Sequence, residues 1–96
     1  MSLFVRPDAA ADIEAAHSWY ENQRVGLGGE FLDAIVVVFG VLIESPRRYR
    51  VVHRDTRRVN LRRFPYGVFY RIIDDDVVVI ACFHGSRDPR AWRGRE

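Results

Sequence analysis

The chain has 96 residues, of which 48% are hydrophobic and 29% are charged, with a net charge of +2. This length predicts a single domain, 1–96, and the composition is typical of folded proteins, which excludes a disordered chain. The longest apolar run, 34–43, is far shorter than the roughly 20 residues of a membrane span, and the N-terminus lacks a signal-peptide pattern. With Cys82 as the single cysteine no internal disulfide can form, so we expect a cytoplasmic protein.

The charge is distributed unevenly along the chain. Residues 1–46 carry two arginines against seven acids, whereas residues 47–96 carry 13 arginines against six acids. A basic half of this kind predicts an anionic partner such as nucleic acid, the ribosome or an acidic peptide. Every lysine or arginine position holds arginine. Arginine-favouring codon usage explains this, and so does the fit of guanidinium to phosphate and carboxylate.

The N-terminal half predicts one short strand followed by two helices. The apolar segment 2–6 predicts the strand. A first helix is predicted over 9–23, where a capping aspartate and early acids favour a helix start. A second helix is predicted over 30–44, because about 15 residues between breakers is long for a strand. The glycine-rich segment 25–29 matches no nucleotide-binding fingerprint, so it is interpreted as the helix connection.

The second predicted helix has an inner and an outer apolar face. At helical spacing the inner face comprises Phe31, Ile35, Val38, Phe39 and Leu42. Val37 and Val41 fall on the outer side, one turn apart. Single exposed valines are ordinary, but this pair hints at a surface that a partner covers.

The C-terminal half predicts strands over 49–53, 57–64, 67–73 and 77–84. Nearly every position of the last run is apolar, which indicates an interior strand covered on both faces. Short turns require successive strands to be antiparallel. The predicted order is β-α-α followed by three or four strands, the brief strand 49–53 being the fourth beyond β-α-α-β-β-β. This order predicts an α+β fold in which two helices pack on one mainly antiparallel sheet.

Metal and nucleophile patterns are weak. Cys82, His84 and His53 are too few for a zinc site of recognised spacing. The three aspartates 74–76 are interpreted as a solvated hairpin turn, although such a run suits a divalent cation too. Ser86 lacks the strand–turn–helix context of a nucleophile. We expect neither a metal nor a cofactor.

Arginines are the candidate functional residues. Arg71 interrupts an apolar strand, so it must reach solvent, pair with an acid or line a site. Arg62 or Arg63 is predicted to lie across from it. The predicted basic patch comprises Arg62, Arg63, Arg71, Arg87, Arg90, Trp92 and Arg93. Such a patch suits phosphate binding with base stacking on the indole, or an acidic peptide. The alternative is that Arg71 pairs with an acid of the first helix and the tail is only solvated.

The chain resembles the RelE/ParE superfamily of toxins from type II toxin–antitoxin modules, formerly called plasmid stabilisation proteins. The resemblance covers nearly the whole chain and lies in the element order and in four segments. These are DIEAAHSWYENQRVGLGGEFLDAI, RRFPYGVFYRI, DDDVVVIACFHG and the closing SRDPRAW. It implies a small cytoplasmic toxin held in a hetero-oligomer by an antitoxin, whose C-terminal segment wraps the toxin. On this basis Val37 and Val41 are predicted to bind the antitoxin.

The resemblance leaves two targets open. ParE-like members inhibit DNA gyrase without bond-breaking chemistry, and RelE-like members cleave mRNA on the ribosome with basic residues and a C-terminal tyrosine. Here Arg71 and Arg87 match the basic residues, but Trp92 stands at the tyrosine position and has no ionisable hydroxyl. We therefore predict a ParE-like growth inhibitor acting on gyrase. The alternatives are a RelE-like endoribonuclease using Arg71, Arg87 and His84, and an inactive homologue that only binds antitoxin.

Overall fold

The computed structural model describes residues 2–96, which form one five-stranded sheet, two long helices and one short helix. The strands are β1 Leu3–Val5, β2 Val51–His53, β3 Thr56–Asn60, β4 Tyr66–Ile73 and β5 Asp76–His84, and the helices are α1 Pro7–Gln23, α2 Leu27–Glu44 and α3 Arg90–Arg93. The sheet order is β1-β5-β4-β3-β2, with β1 parallel to β5 and every other pair antiparallel. The predicted α+β fold, two helices on a mainly antiparallel sheet, is confirmed. No helix within residues 2–96 is long and apolar enough to cross a membrane.

The core lies between the sheet and the two long helices. Phe31, Ile35 and Leu42 of α2 are buried against sheet residues that include Val68 and Tyr70 of β4. Val68 and Tyr70 are alternate positions of β4, which the two-residue repeat of a strand predicts to share one face. Burial of such apolar side chains, each contributing roughly 1.5–3 kcal/mol, fixes the helices on this face of the sheet.

The opposite face of the sheet, called here the second face, carries a smaller apolar cluster. Phe69, Ile80, Ala81, Phe83 and Trp92 form it. Trp92 belongs to α3, which the sequence did not predict, and its ring stacks on Phe69 with centroids 4.5 Å apart. Because β5 is apolar on both sides, α3 and the residues after it must cover the face that the long helices leave open.

The two long helices meet closely at the glycine-rich connection. A Cβ atom on Gly28 would lie 2.7 Å from both the Cδ2 and the main-chain oxygen of His17 in α1. The Glu21 carboxylate accepts hydrogen bonds from the N–H groups of Gly26 (2.9 Å) and Gly28 (3.0 Å). These two hydrogen bonds lower the pKa of Glu21, and the bond from Gly26 has the larger effect. Glu21 thus caps the start of α2, which explains why α2 begins earlier than predicted.

We predict that Gly28→Ala destabilises the protein by about 1–3 kcal/mol, because the methyl group overlaps the main chain of α1. Gly29→Ala is the matched control: nothing lies within 4 Å of its Cβ position, and Ala is the better helix former by up to about 1 kcal/mol. Urea denaturation of both variants measures the difference. Equal stability of the two would contradict a close helix approach at Gly28.

Candidate functional site

The C-terminal residues are fixed to the second face and to the edge of β5 by one partly buried ion pair. Arg95 binds Asp12 of α1 with both terminal guanidinium nitrogens, at 2.5 and 3.1 Å. Asp12 also accepts the N–H of Cys82 (3.0 Å), and Arg95 donates to the carbonyl of Ile80 (3.1 Å). These β5 groups are free because β1 ends at Val5, opposite Val79. The pair therefore takes the place of a neighbouring strand along this edge.

Glu96 holds the same segment at the end of the second face where the turn joins β2 to β3. Its side chain is 6% exposed; one oxygen lies 2.6 Å from Nδ1 of His53, and the other accepts the Thr56 hydroxyl. Burial tends to raise the pKa of Glu96, but the bonds from Thr56 and His53 outweigh it, and the pKa lies below its usual value. Arg71 donates to the main-chain oxygen of Glu96 (3.0 Å) and lies 3.6 Å from Asp55.

We predict that Glu96→Gln destabilises the protein by about 1–2 kcal/mol near pH 7, since it removes charge-assisted bonds to Thr56 and His53. A lowered folded-state pKa means that ionised Glu96 stabilises the fold above its unfolded-state pKa of about 4.3. This contribution is lost as the pH falls through the folded-state pKa. Denaturant unfolding from about pH 7 down to about pH 2.5 should show the two proteins converging in stability at acid pH. A constant difference between them would reject this role for Glu96.

At the other end of the second face the structure forms a cavity of about 380 Å³, called here the arginine groove. It is defined by Arg50, Arg58, Arg87 and Arg93. None of the four guanidiniums forms an ion pair or a hydrogen bond within residues 2–96. The groove is therefore a site of uncompensated positive charge, suited to an anion.

The residues of the predicted basic patch do not share one surface. Arg87, Arg93 and Trp92 line the arginine groove, but Arg71 lies at the other end of the face with Glu96. Arg90 pairs with Asp88 at 2.7 Å. The remaining two, Arg62 and Arg63, do not lie opposite Arg71 on the neighbouring strand. The strand β3 ends at Asn60, before either of them, and its residue opposite Tyr70 is Arg57. That predicted placement is wrong because the strand is shorter than its alternation suggests.

The patch predicted from the sequence did not include Arg50 and Arg58, which line the arginine groove. Alternation along β3 places Arg58 and Asn60 on the second face, opposite the buried Val59. This signal was present in the sequence. The position of Arg50 beside them depends on the irregular register of β2 against β3, which no local pattern reveals.

Side chains for proton transfer are poorly placed in the groove. Nδ1 of His84 accepts the N–H of Ser86 (3.1 Å), so a neutral His84 has its acceptor nitrogen occupied. Cys82 lies outside the groove, in the core on the helix side, where burial, together with the Asp12 carboxylate, raises the pKa of its thiol to about 12 and keeps it protonated. Trp92 is 5% exposed and already stacked on Phe69. It packs against the sheet and does not present its face to a base, in contrast to the prediction.

A second cavity, of about 500 Å³, lies between α2 and β3 and is called here the helix-edge groove. Val37 and Val41 line it together with Val59 and Leu61 of the sheet side. Arg48, Arg62 and Arg63 border it, and of these three only Arg63 has a partner within residues 2–96, Glu30 at 3.0 Å. The groove thus combines an apolar floor with a cationic border, which suits an amphipathic acidic segment.

No three His, Cys, Asp or Glu side chains converge as a metal site anywhere in residues 2–96. His53 contacts Glu96 on the second face, whereas Cys82 belongs to the core on the helix side. His53 therefore lies on the opposite face of the sheet from Cys82, so the three residues weighed as a zinc site do not converge.

Three solved structures with the same fold come from toxin–antitoxin systems. The chromosomal ParDE system from P. aeruginosa superposes with a TM-score of 0.74 at 21% identity, covering 88% of this chain and 95% of that chain. The E. coli RelBE complex gives 0.53 at 20% identity, covering 88% and 96%. The isolated E. coli RelE toxin gives 0.53 at 18% identity, covering 96% and 92%. A comparison with curated proteins finds no significant match.

These likenesses define the class of fold, and the sequence itself assigns the family. Residues 3–89 match the family of the ParE toxin of the type II toxin–antitoxin system, parDE. The chain belongs to this family. It is a type II toxin of the RelE/ParE superfamily, as the sequence predicted.

Proposed function

We propose that this toxin inhibits growth by binding DNA gyrase in the cytoplasm, and that an antitoxin neutralises it by occupying the helix-edge groove. The observation that carries the first part is the chemistry of the arginine groove, which suits an anion but in which the proton-accepting nitrogen of His84 is already bonded to Ser86. Its lining residues within 2–96 include no tyrosine, lysine, aspartate or glutamate. Membership of the ParE family supports the choice of gyrase.

A ribosome-dependent nuclease remains the second candidate because Arg87 and His84 adjoin in the arginine groove. RNA cleavage requires a base for the 2′-hydroxyl, an acid for the leaving oxygen and charge stabilisation at the phosphate. The arginines supply the last of these. The ring nitrogen of His84 that would take the proton is held by Ser86. Binding of a target is therefore the function that the geometry supports better.

The second part of the proposal rests on exposure and charge. Val37 is 68% exposed and Val41 half-buried, and both line a groove bordered by Arg48 and Arg62, which are unpaired within residues 2–96. An amphipathic segment of the antitoxin would place apolar side chains on the valines and carboxylates on the guanidiniums. The solved relatives named ParDE and RelBE are toxin–antitoxin systems, which supports an antitoxin partner.

We predict that the purified toxin inhibits supercoiling by gyrase and that its induction in cells produces a DNA-break response with intact mRNA. Supercoiling gels and primer extension on abundant transcripts measure the two effects. Codon-specific cleavage that is lost in Arg87→Ala would instead establish the nuclease. A protein that binds its antitoxin but shows neither effect would establish the inactive homologue.

We predict that Val37→Asp weakens the complex with the antitoxin at least about tenfold, or about 1.4 kcal/mol. The new carboxylate would lie on the apolar floor and repel an acidic segment. Val36→Asp is the matched control, because Val36 is equally exposed (67%) on the same helix but lies outside the groove. Titration calorimetry with the protein encoded by the neighbouring reading frame measures both. Equal losses in the two variants would place the antitoxin elsewhere on α2.

A further inference from the structure

The guanidiniums without a partner are concentrated at the two grooves. Within residues 2–96, seven of the 15 arginines have neither an ion pair nor a hydrogen bond from the guanidinium. These are Arg48, Arg50, Arg54, Arg58, Arg62, Arg87 and Arg93. Four of the seven define the arginine groove. Like charges around one concavity repel each other, and a bound anion relieves that repulsion.

Gly67 shapes the floor of this groove. It lies opposite Asn60 on β3, and a Cβ atom there would come within 3.1 Å of Cδ of Arg58 and 3.2 Å of Oδ1 of Asn60. The absent side chain lets the stem of Arg58 lie flat across the sheet. The guanidinium is thereby held at the groove while its stem covers the main chain.

The groove offers charge but no surface for stacking. Its aromatic residues Phe69, Phe83 and Trp92 are each at most 5% exposed. The guanidinium of Arg87 covers the Phe83 ring at 3.9 Å. Proteins that bind single strands gain roughly 1–3 kcal/mol per base from stacking on exposed aromatic rings. Without such rings, binding must come from phosphates, which a stiff duplex presents as a dense and continuous ridge.

We propose that the arginine groove binds the sugar–phosphate backbone of duplex DNA without regard to sequence. The ridge of one strand enters the concavity, with Arg50 and Arg58 on the sheet side and Arg87 and Arg93 on the α3 side. This contact would hold the toxin on the DNA segment at gyrase, a role that rests on the proposed function. DNA binding itself does not depend on the identity of the target.

The test is fluorescence anisotropy of the whole toxin with a labelled duplex of about 20 base pairs, between about 50 and 200 mM salt. Four phosphate contacts predict a slope of log K against log salt of about −3 to −4. Arg58→Gln and Arg93→Gln should each reduce the slope by about one. Arg54→Gln, which removes an unpaired arginine outside the groove, should leave the slope unchanged. Gly67→Ala should weaken binding with no change in net charge, because its methyl group displaces Arg58.

A single strand of the same sequence, as DNA and as RNA, forms the second arm of the test. Weaker binding of both strands supports the proposal, and tighter binding of either overturns it. Absence of duplex binding at low salt, or equal losses in Arg54→Gln and Arg58→Gln, overturns it as well. The assay contains neither gyrase nor antitoxin. A toxin that binds DNA but does not inhibit supercoiling would overturn the proposed function alone. A toxin that inhibits supercoiling but does not bind duplex DNA would overturn only the proposal of DNA binding.

Discussion

The ion pair between Asp12 and Arg95 is the contact on which the rest of the structure depends. It joins α1, the free edge of β5 and the C-terminal segment, which are distant in sequence but meet where β1 ends. An open strand edge exposes unpaired N–H and C=O groups that invite pairing with other chains. Here a carboxylate takes the N–H of Cys82 and a guanidinium takes the carbonyl of Ile80. Because each charge also satisfies the other, neither is left unpaired in a largely buried position, where an isolated charge is costly.

Both grooves exist because two long helices do not cover the whole surface of a five-stranded sheet. The helices cover one face and leave the helix-edge groove beside β3. On the second face α3 and the residues after it cover the middle, and Glu96 closes one end. The four-residue helix borders the other end with Arg93 but does not cover it. The surface left there consists of sheet positions such as Arg58 and Asn60, which alternation turns away from the core. The arginine groove is thus the uncovered end of the second face.

Local patterns predicted the fold better than they predicted the site. The apolar run in β5 indicated burial on both faces, and the period of two in β4 separated Tyr70 from Arg71 correctly. Contacts such as that of Asp12 with Arg95 join residues far apart in the chain, so no spacing rule reveals them. The same limit explains the basic patch: spacing identified Arg87 and Arg93, but the strand end at Asn60 and the partners of Arg71 and Arg90 depend on tertiary structure.

The two grooves lie on opposite faces of the sheet, both beside its β2 edge. This placement constrains how an antitoxin can neutralise the proposed activity. Successive residues of β3 alternate between them: Val59 faces the helix-edge groove and Arg58 the arginine groove. A segment confined to the helix-edge groove would leave the arginine groove open to DNA. A segment that covers both must pass around the β2 edge, where Arg48 borders one groove and Arg50 the other. These two arginines provide a cationic path between the faces, so a single acidic segment can follow it while each carboxylate gains a guanidinium partner.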